Sequence, residues 1–502
     1  MKKNIGIILI CLLFTNLVCG QSNVELFDKY VEAARQEWNV PGLSIVVVQD
    51  GKVVLSKGYG VRELGKDARV DTETLFGAMS TTKAMTTAAM GMLVDEGKVS
   101  WDDKVTKYLP NFRVADHYVT GELRVRDLFT HNSGIGSTDF LWMRTPELSS
   151  DQIVSRMQYV KQIYPFRSGF NSYQNVMYLV AGQVIEKASG MPWKQFVTER
   201  IFKPLGMKNT FATYEDSKKY KNRSVAHFDF KGKIQPIPET SIDSAAPAGA
   251  VWSTADDIGK WVNFMLGNTT ADGKQLLKPE TFKEILSPQV ISPPGEFYDT
   301  QALTKPHWIT YGLGWDQHDY RGLMVNLHVG SLDGRMAMIG LMPDKKLGVY
   351  VFGNLRPAEV NHALMYKTFD VFGFNDNSRD WSKEVKSLYD GLKADARKKA
   401  DEIKVKRKTD TVPSLPLSAY AGKYSDPFYG EMEVALVGGK LRMIVNKDLT
   451  ADLSHWQFNA FQAAWNKAWW DESLLDFQIN PLTGEVDSMT IDGENLKRVR
   501  PK

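Results

Sequence analysis

Cysteine is nearly absent from this chain. Cys11 and Cys19 are the only two in 502 residues. That excludes a disulfide framework, a cysteine nucleophile and a thiolate metal site from the body of the protein. The eight histidines are scattered, and no His-Glu-x-x-His occurs. No metal and no cofactor is therefore expected. A Gly-x-Ser-x-Gly elbow and a phosphate-binding glycine loop are also missing. Neither sign of charge is in excess. The 62 basic and 59 acidic residues leave a net +3, which gives no basis for a nucleic-acid partner. Only one apolar run is long enough to notice, Ile5 to Val18, and it is short for a membrane span. Met1-Lys2-Lys3 precedes it and Cys19-Gly20-Gln21 follows. This pattern reads as a secretory signal peptide over residues 1–20. Its removal would leave a chain without a thiol or a transmembrane segment, exported to the periplasm or beyond. The lack of disulfides is consistent with a bacterial periplasm.

What is present falls into three parts. Residues 22–376 carry strand signals at both ends and helices between, the pattern of one α+β domain whose sheet uses both chain ends. Glu25 to Trp38 reads as an amphipathic helix. GLSIVVV (Gly42–Val48), Gln49-Asp50-Gly51-Lys52 and VVLSKGYG read as a hairpin. Tyr173–Gly190 and Thr254–Leu266 read as helices, the second opened by a cap at Thr254 and Asp257. LMVNLHVGSL, RMAMIGLM and LGVYVFGN read as three successive antiparallel strands, with Asn361–Phe372 helical after them. Residues 377–412 form a charged helical linker. Trp381, Val385, Leu388, Leu392, Ala396, Ala400 and Ile403 repeat at helical spacing, as in a surface helix lying on one neighbour. From 413 to 502 the chain is β-rich, with turns at Gly438-Gly439 and Thr483-Gly484. A small antiparallel sheet or barrel is expected there.

Ser80 and Lys83 form the only Ser-x-x-Lys in the chain. They sit at the mouth of an apolar helical stretch, where residues three apart share a face. A serine hydroxyl needs a neighbouring base to act as a nucleophile, and a lysine can supply one without a histidine. Amide groups at a helix start favour negative charge, which suits a developing oxyanion. Read in isolation, Ser80 is more readily an N-cap and Lys83 a solvated first-turn lysine. Tyr173-Gln174-Asn175 is the second candidate. A phenol beside the lysine could relay the proton, and the Asn175 amide could bind a substrate carbonyl or steady the lysine. The copy at Tyr220-Lys221-Asn222 lies in a charged, surface-like stretch. His328-Val329-Gly330-Ser331, on an expected strand, is the third. Its glycine lets a substrate backbone approach, and the Ser331 amide could join that of Ser80 as an oxyanion hole.

In this order the three motifs resemble the serine β-lactamase and penicillin-binding protein superfamily, and within it the class C β-lactamase-related serine hydrolases. LFTHNSGI (Leu128–Ile135), PAGAVWSTADDIGKW (Pro247–Trp261) and YGLGW (Tyr311–Trp315) strengthen the likeness. The resemblance implies an antiparallel sheet with a helical lobe and an active site between them. It implies Ser80 as nucleophile and Lys83 with Tyr173 as shared general base. Asn175 would orient substrate, and the amides of Ser80 and Ser331 would form the oxyanion hole. The C-terminal part resembles a small lipocalin-like domain carried by some members. One departure concerns substrate. His328 stands where many β-lactamases have the lysine of Lys-Thr-Gly, a fixed cation for a carboxylate. A His-x-Gly variant fits related esterases and peptidases better. The expected function is an exported serine hydrolase acting on small esters or peptide amides. The alternatives are a β-lactamase or D,D-peptidase, and a non-hydrolytic penicillin-binding-like sensor.

Overall fold

The computed structural model describes residues 23–136, 138–144 and 147–500. The expected signal peptide, with Cys11 and Cys19, lies outside them. The chain divides into two compact units, and the first takes residues up to 111, then 121–134 and 164–390.

The first unit is built on one antiparallel sheet. Strand β1 (Gly42–Gln49) folds back on β2 (Lys52–Gly60). The rest of the sheet comes from much later in the chain: β3 (Val290–Ile291), β4 (Ile309–Tyr311), β5 (Asp316–Tyr320), β6 (Leu323–Leu332), β7 (Arg335–Met342) and β8 (Leu347–Gly353). The spatial order is β2-β1-β8-β7-β6-β5-β4-β3. An early and a late segment of the unit therefore pair within the sheet, β1 against β8, from Leu43 opposite Gly353 to Gln49 opposite Leu347. Strands β7 and β8 are buried along their whole length, which explains their near-continuous apolar text.

Helix α1 (23–37) and the later α5 (Val360–Thr368) contribute Phe27, Val31, Leu364 and Tyr366 to the core that covers the sheet. Helix α2 (Thr82–Asp95) is buried through most of its turns and packs on α3 (Asn175–Ser189). Between α3 and β3, α4 (Ala255–Gly267) starts as expected, with the Thr254 hydroxyl accepting from the Asp257 amide at 3.3 Å. Capping of this kind is worth about 1 kcal/mol.

The charged helix α6 (Trp381–Lys406) is buried only at its start, at Trp381, Ser382 and Val385. Trp381 is fully buried, stacks on Tyr366 at 4.7 Å, and donates its indole N–H to Asp370 at 2.7 Å. Tyr320 donates to the same carboxylate at 2.7 Å. A buried carboxylate is tolerable only when donors satisfy it in this way. Beyond Tyr389 the expected stripe is not buried: Leu392, Ala396, Ala400 and Ile403 are exposed. Apolar spacing marks a helix face but does not guarantee a neighbour for it.

The second unit comprises residues 112–120, 135–163 and 391–502. Its body is a closed barrel of eight strands, β9 (Gly422–Asp426), β10 (Gly430–Val437), β11 (Lys440–Asn446), β12 (Leu449–Gln457), β13 (Ala460–Trp465), β14 (Ser473–Ile479), β15 (Val486–Ile491) and β16 (Glu494–Arg498). Each pairs with the next, and β9 pairs with β16 through Tyr424 and Arg498. Closure removes the exposed edges that an open sheet this small would carry. Alternate residues fill the interior. Tyr420, from the helical turn before β9, meets Phe461 at 5.3 Å and Phe477 at 5.2 Å. Within this unit Arg156 donates to the Phe428 carbonyl at 3.0 Å.

Candidate active site

All the candidate site residues lie in the first unit. Ser80 does not open an α-helix. It sits in a single 3-10 turn, Met79–Thr81, and α2 begins at Thr82 with no side-chain cap. The turn follows from Met79, whose φ of +49° no regular helix accommodates. Thr81 ties the turn down, donating to the Ala78 carbonyl at 2.8 Å. The three-residue spacing still brings Lys83 to Ser80, with Nζ 3.2 Å from Oγ.

Lys83 is completely buried. Its Nζ donates to Asn175 Oδ1 at 2.6 Å and to the Ala248 carbonyl at 2.9 Å, besides Ser80. It lies 4.8 Å from the ring centroid of Tyr173 and 5.1 Å from that of Tyr178. A buried ammonium needs acceptors of this sort, and aromatic faces add to them. The Ala248 carbonyl comes from a helical turn, Ala246–Gly249, within the PAGAVW phrase. Pro247 accepts from Thr86 at 2.7 Å, and a Cβ on Gly182 of α3 would come within 2.5 Å of the proline ring. Small residues let this turn pack against α2 and α3.

The expected helix from Tyr173 instead begins at Asn175, with Gln174 in an extended conformation before it. The cause is His131. Its Nδ1 accepts the Gln174 amide at 2.9 Å, and its carbonyl accepts those of Asn171 at 3.1 Å and Ser172 at 3.5 Å. Tyr173 therefore precedes the helix, half-buried, and Asn175 is its first residue, facing Lys83. His131 was not singled out from the sequence, where it belonged to a framework phrase without a role. The copy at Tyr220 lies elsewhere, its hydroxyl on the Glu73 carbonyl at 2.9 Å.

His328, Gly330 and Ser331 lie on β6. That strand pairs with β5 only from Leu323 to Leu327, while its pairing with β7 continues to Leu332. The edge from His328 onward therefore faces the Ser80 turn rather than another strand of the sheet. A Cβ on Gly330 would lie 2.4 Å from the Ala78 carbonyl oxygen and 3.0 Å from the Ser80 nitrogen. Gly330→Ala is expected to push the Ser80 turn away from β6. The clash with backbone atoms should lower the melting temperature, which a melting curve checks.

His328 is buried and neutral. Its Nδ1 lies 2.8 Å from the Val329 carbonyl and so carries the proton; Nε2 accepts from the Tyr311 hydroxyl at 3.3 Å. Burial, then the Lys83 charge, push its pKa from 6.5 down to about 3, against the opposing Val329 carbonyl. Tyr311 is itself held protonated, chiefly by burial. On the stretch of β6 beyond its pairing with β5, the Tyr298 hydroxyl accepts from the Val329 amide at 3.4 Å and donates to Asp316 at 2.9 Å. Burial raises Asp316 to about 7. The accessible members of the cluster are Ser80, Tyr173 and Ser331; the groups that hold them, Lys83, Asn175, His328 and Gly330, are buried.

A buried lysine joining a serine to a tyrosine–asparagine pair, beside an open strand edge, is the arrangement expected of the family the sequence resembles. The beta-lactamase family matches residues 27–368. The chain belongs to the beta-lactamase family. A domain of unknown function, DUF3471, matches residues 406–500, the span of the barrel. The unguisins hydrolase ungD' of Aspergillus campestris (strain IBT 28561) is 28% identical over 433 residues, 81% of this chain and 77% of that protein. Protein flp of Staphylococcus aureus (strain MW2) is 25% identical, over 65% of this chain and 62% of its own. Among solved structures, the octameric penicillin-binding protein homologue from Pyrococcus abyssi superposes with a TM-score of 0.63 at 21% identity, covering 94% of this chain and 99% of that one. This establishes the β-lactamase/transpeptidase-like fold with its C-terminal barrel. Membership in the beta-lactamase family, with a named hydrolase among the relatives, supports a hydrolase.

Proposed function

We propose that this beta-lactamase family member is an exported serine hydrolase that forms an acyl-enzyme on Ser80, with neutral esters or peptide amides as substrates. The observation that carries the reading is the convergence on Lys83 Nζ of the Ser80 hydroxyl at 3.2 Å, the Asn175 amide at 2.6 Å and the Tyr173 ring at 4.8 Å. In the acylation step the Ser80 oxygen forms a bond to the acyl carbon, and its proton passes to the Lys83–Tyr173 pair, which acts as a base in the state with one proton fewer than ammonium plus phenol, either amine beside phenol or ammonium beside phenolate. The amides of Ser80 and Ser331 stabilise the oxyanion. The bond to the leaving group then breaks, and that group takes the proton back. Asn175 orients the substrate carbonyl, and Gly330 lets β6 lie against the Ser80 turn. Water releases the acyl group in a second step. The printed name of the ungD' relative, a hydrolase, supports the reaction class.

Substrate charge follows from His328. A family member with lysine there has a fixed cation for a carboxylate; this chain has a neutral imidazole whose two nitrogens are both engaged. Acylation should therefore favour substrates without a carboxylate beside the scissile bond. The test is a paired assay: neutral p-nitrophenyl esters and amino-acid amides against a cephalosporin and a D-alanyl peptide with a free terminus. The neutral group should win in kcat/KM by at least about tenfold, about 1.4 kcal/mol. Faster turnover of the cephalosporin or the free-terminus peptide would replace this reading with the β-lactamase or D,D-peptidase one.

A further inference from the structure

We propose that His131 is a positioning residue for the Tyr173 phenol, holding its ring on Lys83 and fixing the backbone that delivers Asn175. The proposal rests on the reading of Tyr173 as a proton carrier. Seven contacts meet at this one side chain and its carbonyl. The imidazole lies 4.3 Å from the Tyr173 ring centroid with the planes tilted by 31°, close to stacked. It is boxed in by Phe170 at 5.3 Å, Tyr311 at 5.0 Å and Tyr178 at 5.7 Å. Its Nδ1 takes the Gln174 amide at 2.9 Å, between the phenol and the asparagine. Its carbonyl takes the amides of Asn171 and Ser172, on the approach to them. The backbone of His131 has φ of +54°, a conformation that a bulky residue adopts at a cost and that persists only where surrounding contacts hold it.

The tautomer is determined by the same bonds. An amide N–H donates to Nδ1, so Nδ1 is unprotonated and the ring proton sits on Nε2. Burial, then the Lys83 charge, keep the ring neutral. Protonation would place a second cation beside Lys83 and would remove the acceptor for Gln174. A neutral imidazole can accept from the backbone and still lie against the Tyr173 ring, where an aliphatic side chain offers no acceptor. The placement of the phenol over the lysine, 4.8 Å from Nζ to ring centroid, thus depends on a residue more than forty positions earlier in the chain.

A double-mutant cycle on the full-length protein tests this. Wild type, His131→Ala, Tyr173→Phe and the pair are compared by the rate of labelling with a fluorophosphonate probe, and by kcat and KM on a neutral p-nitrophenyl ester. His131→Ala is expected to slow acylation about 10²-fold, the effect of roughly an ångström of misplacement, with KM changed by less than about twofold. In the Tyr173→Phe background the same substitution should slow acylation by less than about tenfold, because no phenolic proton remains to be misplaced and only the delivery of Asn175 is lost. Equal slowing in both backgrounds would overturn the proposal and leave His131 a general packing residue. Wild-type acylation by Tyr173→Phe alone would instead overturn the underlying reading of Tyr173. If His131→Ala does not accumulate as folded protein, His131→Phe takes its place in the cycle. It keeps a ring against Tyr173 and loses the acceptor, and the same outcomes decide. His131→Gln, whose side-chain carbonyl can accept the Gln174 amide, is expected to recover at least about tenfold of the Ala loss. No recovery would show that the acceptor does not matter.

Discussion

Ser80→Ala protein is expected to take no label from a fluorophosphonate probe and to lose ester hydrolysis by about 10⁴-fold or more. The substitution deletes one oxygen from a half-buried position in a 3-10 turn whose other ties survive. Thr81 still donates to the Ala78 carbonyl, and Lys83 keeps Asn175 and Ala248. The fold should therefore persist, with a melting temperature close to wild type, while the covalent step disappears. What residual rate remains would come from the oxyanion amides acting on water. Equal labelling of wild type and variant, read by gel fluorescence or intact-protein mass, would remove Ser80 from the mechanism.

Lys83→Met should slow acylation about 10³-fold without abolishing it. Methionine fills nearly the same volume but cannot donate to Ser80, Asn175 or the Ala248 carbonyl. The nucleophile stays in place, so slow labelling of Ser80 should remain measurable over hours, which separates this variant from Ser80→Ala. The buried Asn175 and Ala248 oxygens would lose their shared donor, at about 1–3 kcal/mol for each left unsatisfied. Relief from burying an ammonium offsets part of that cost. Activity should consequently fall far more than stability. An unchanged acylation rate in Lys83→Met would transfer the base role to Tyr173 alone.

The acid–base behaviour of the site separates into layers. His328 and His131 are both held neutral by burial and by the neighbouring Lys83 charge. Neither therefore contributes an acidic limb to the rate near neutrality. Because the His328 pKa is depressed from 6.5 to about 3, the unfolded chain takes up a proton that the folded one refuses, so its contribution to stability is lost progressively as pH falls from about 6.5 to about 3. The neutral form costs nothing at pH 7.

How much of this could be read in advance depends on the range of the interaction involved. Ser80 and Lys83 are three residues apart, and any right-handed turn brings them together, 3-10 or α. The pairing was legible even though the start of α2 was not. The left-handed Met79 that delays the helix leaves no mark in composition or periodicity. The strands β7 and β8 were legible because burial on both faces makes them unmistakably apolar. The beginning of α3 was missed by two residues because a histidine from another segment takes the Gln174 amide. The Ala248 carbonyl had no side-chain signature at all. The exposed stripe on α6 shows the reverse error, apolar spacing without a neighbour to cover it.

By itself the amino-acid sequence determined which chemistry is available: no thiol in the body of the chain, one Ser-x-x-Lys, a Tyr-x-Asn and a His-x-Gly, in the order of one family. Those are properties of residue type and short spacing, which survive in an unfolded chain. Only the tertiary structure decided that Asn175, Ala248 and Ser80 share one buried ammonium, that the edge of β6 beyond Leu327 is left for Ser80, and that His131 holds the phenol. Each of these joins segments tens to hundreds of residues apart. Such contacts depend on backbone positions reached only after the sheet closes and the helices pack, and no local pattern encodes them.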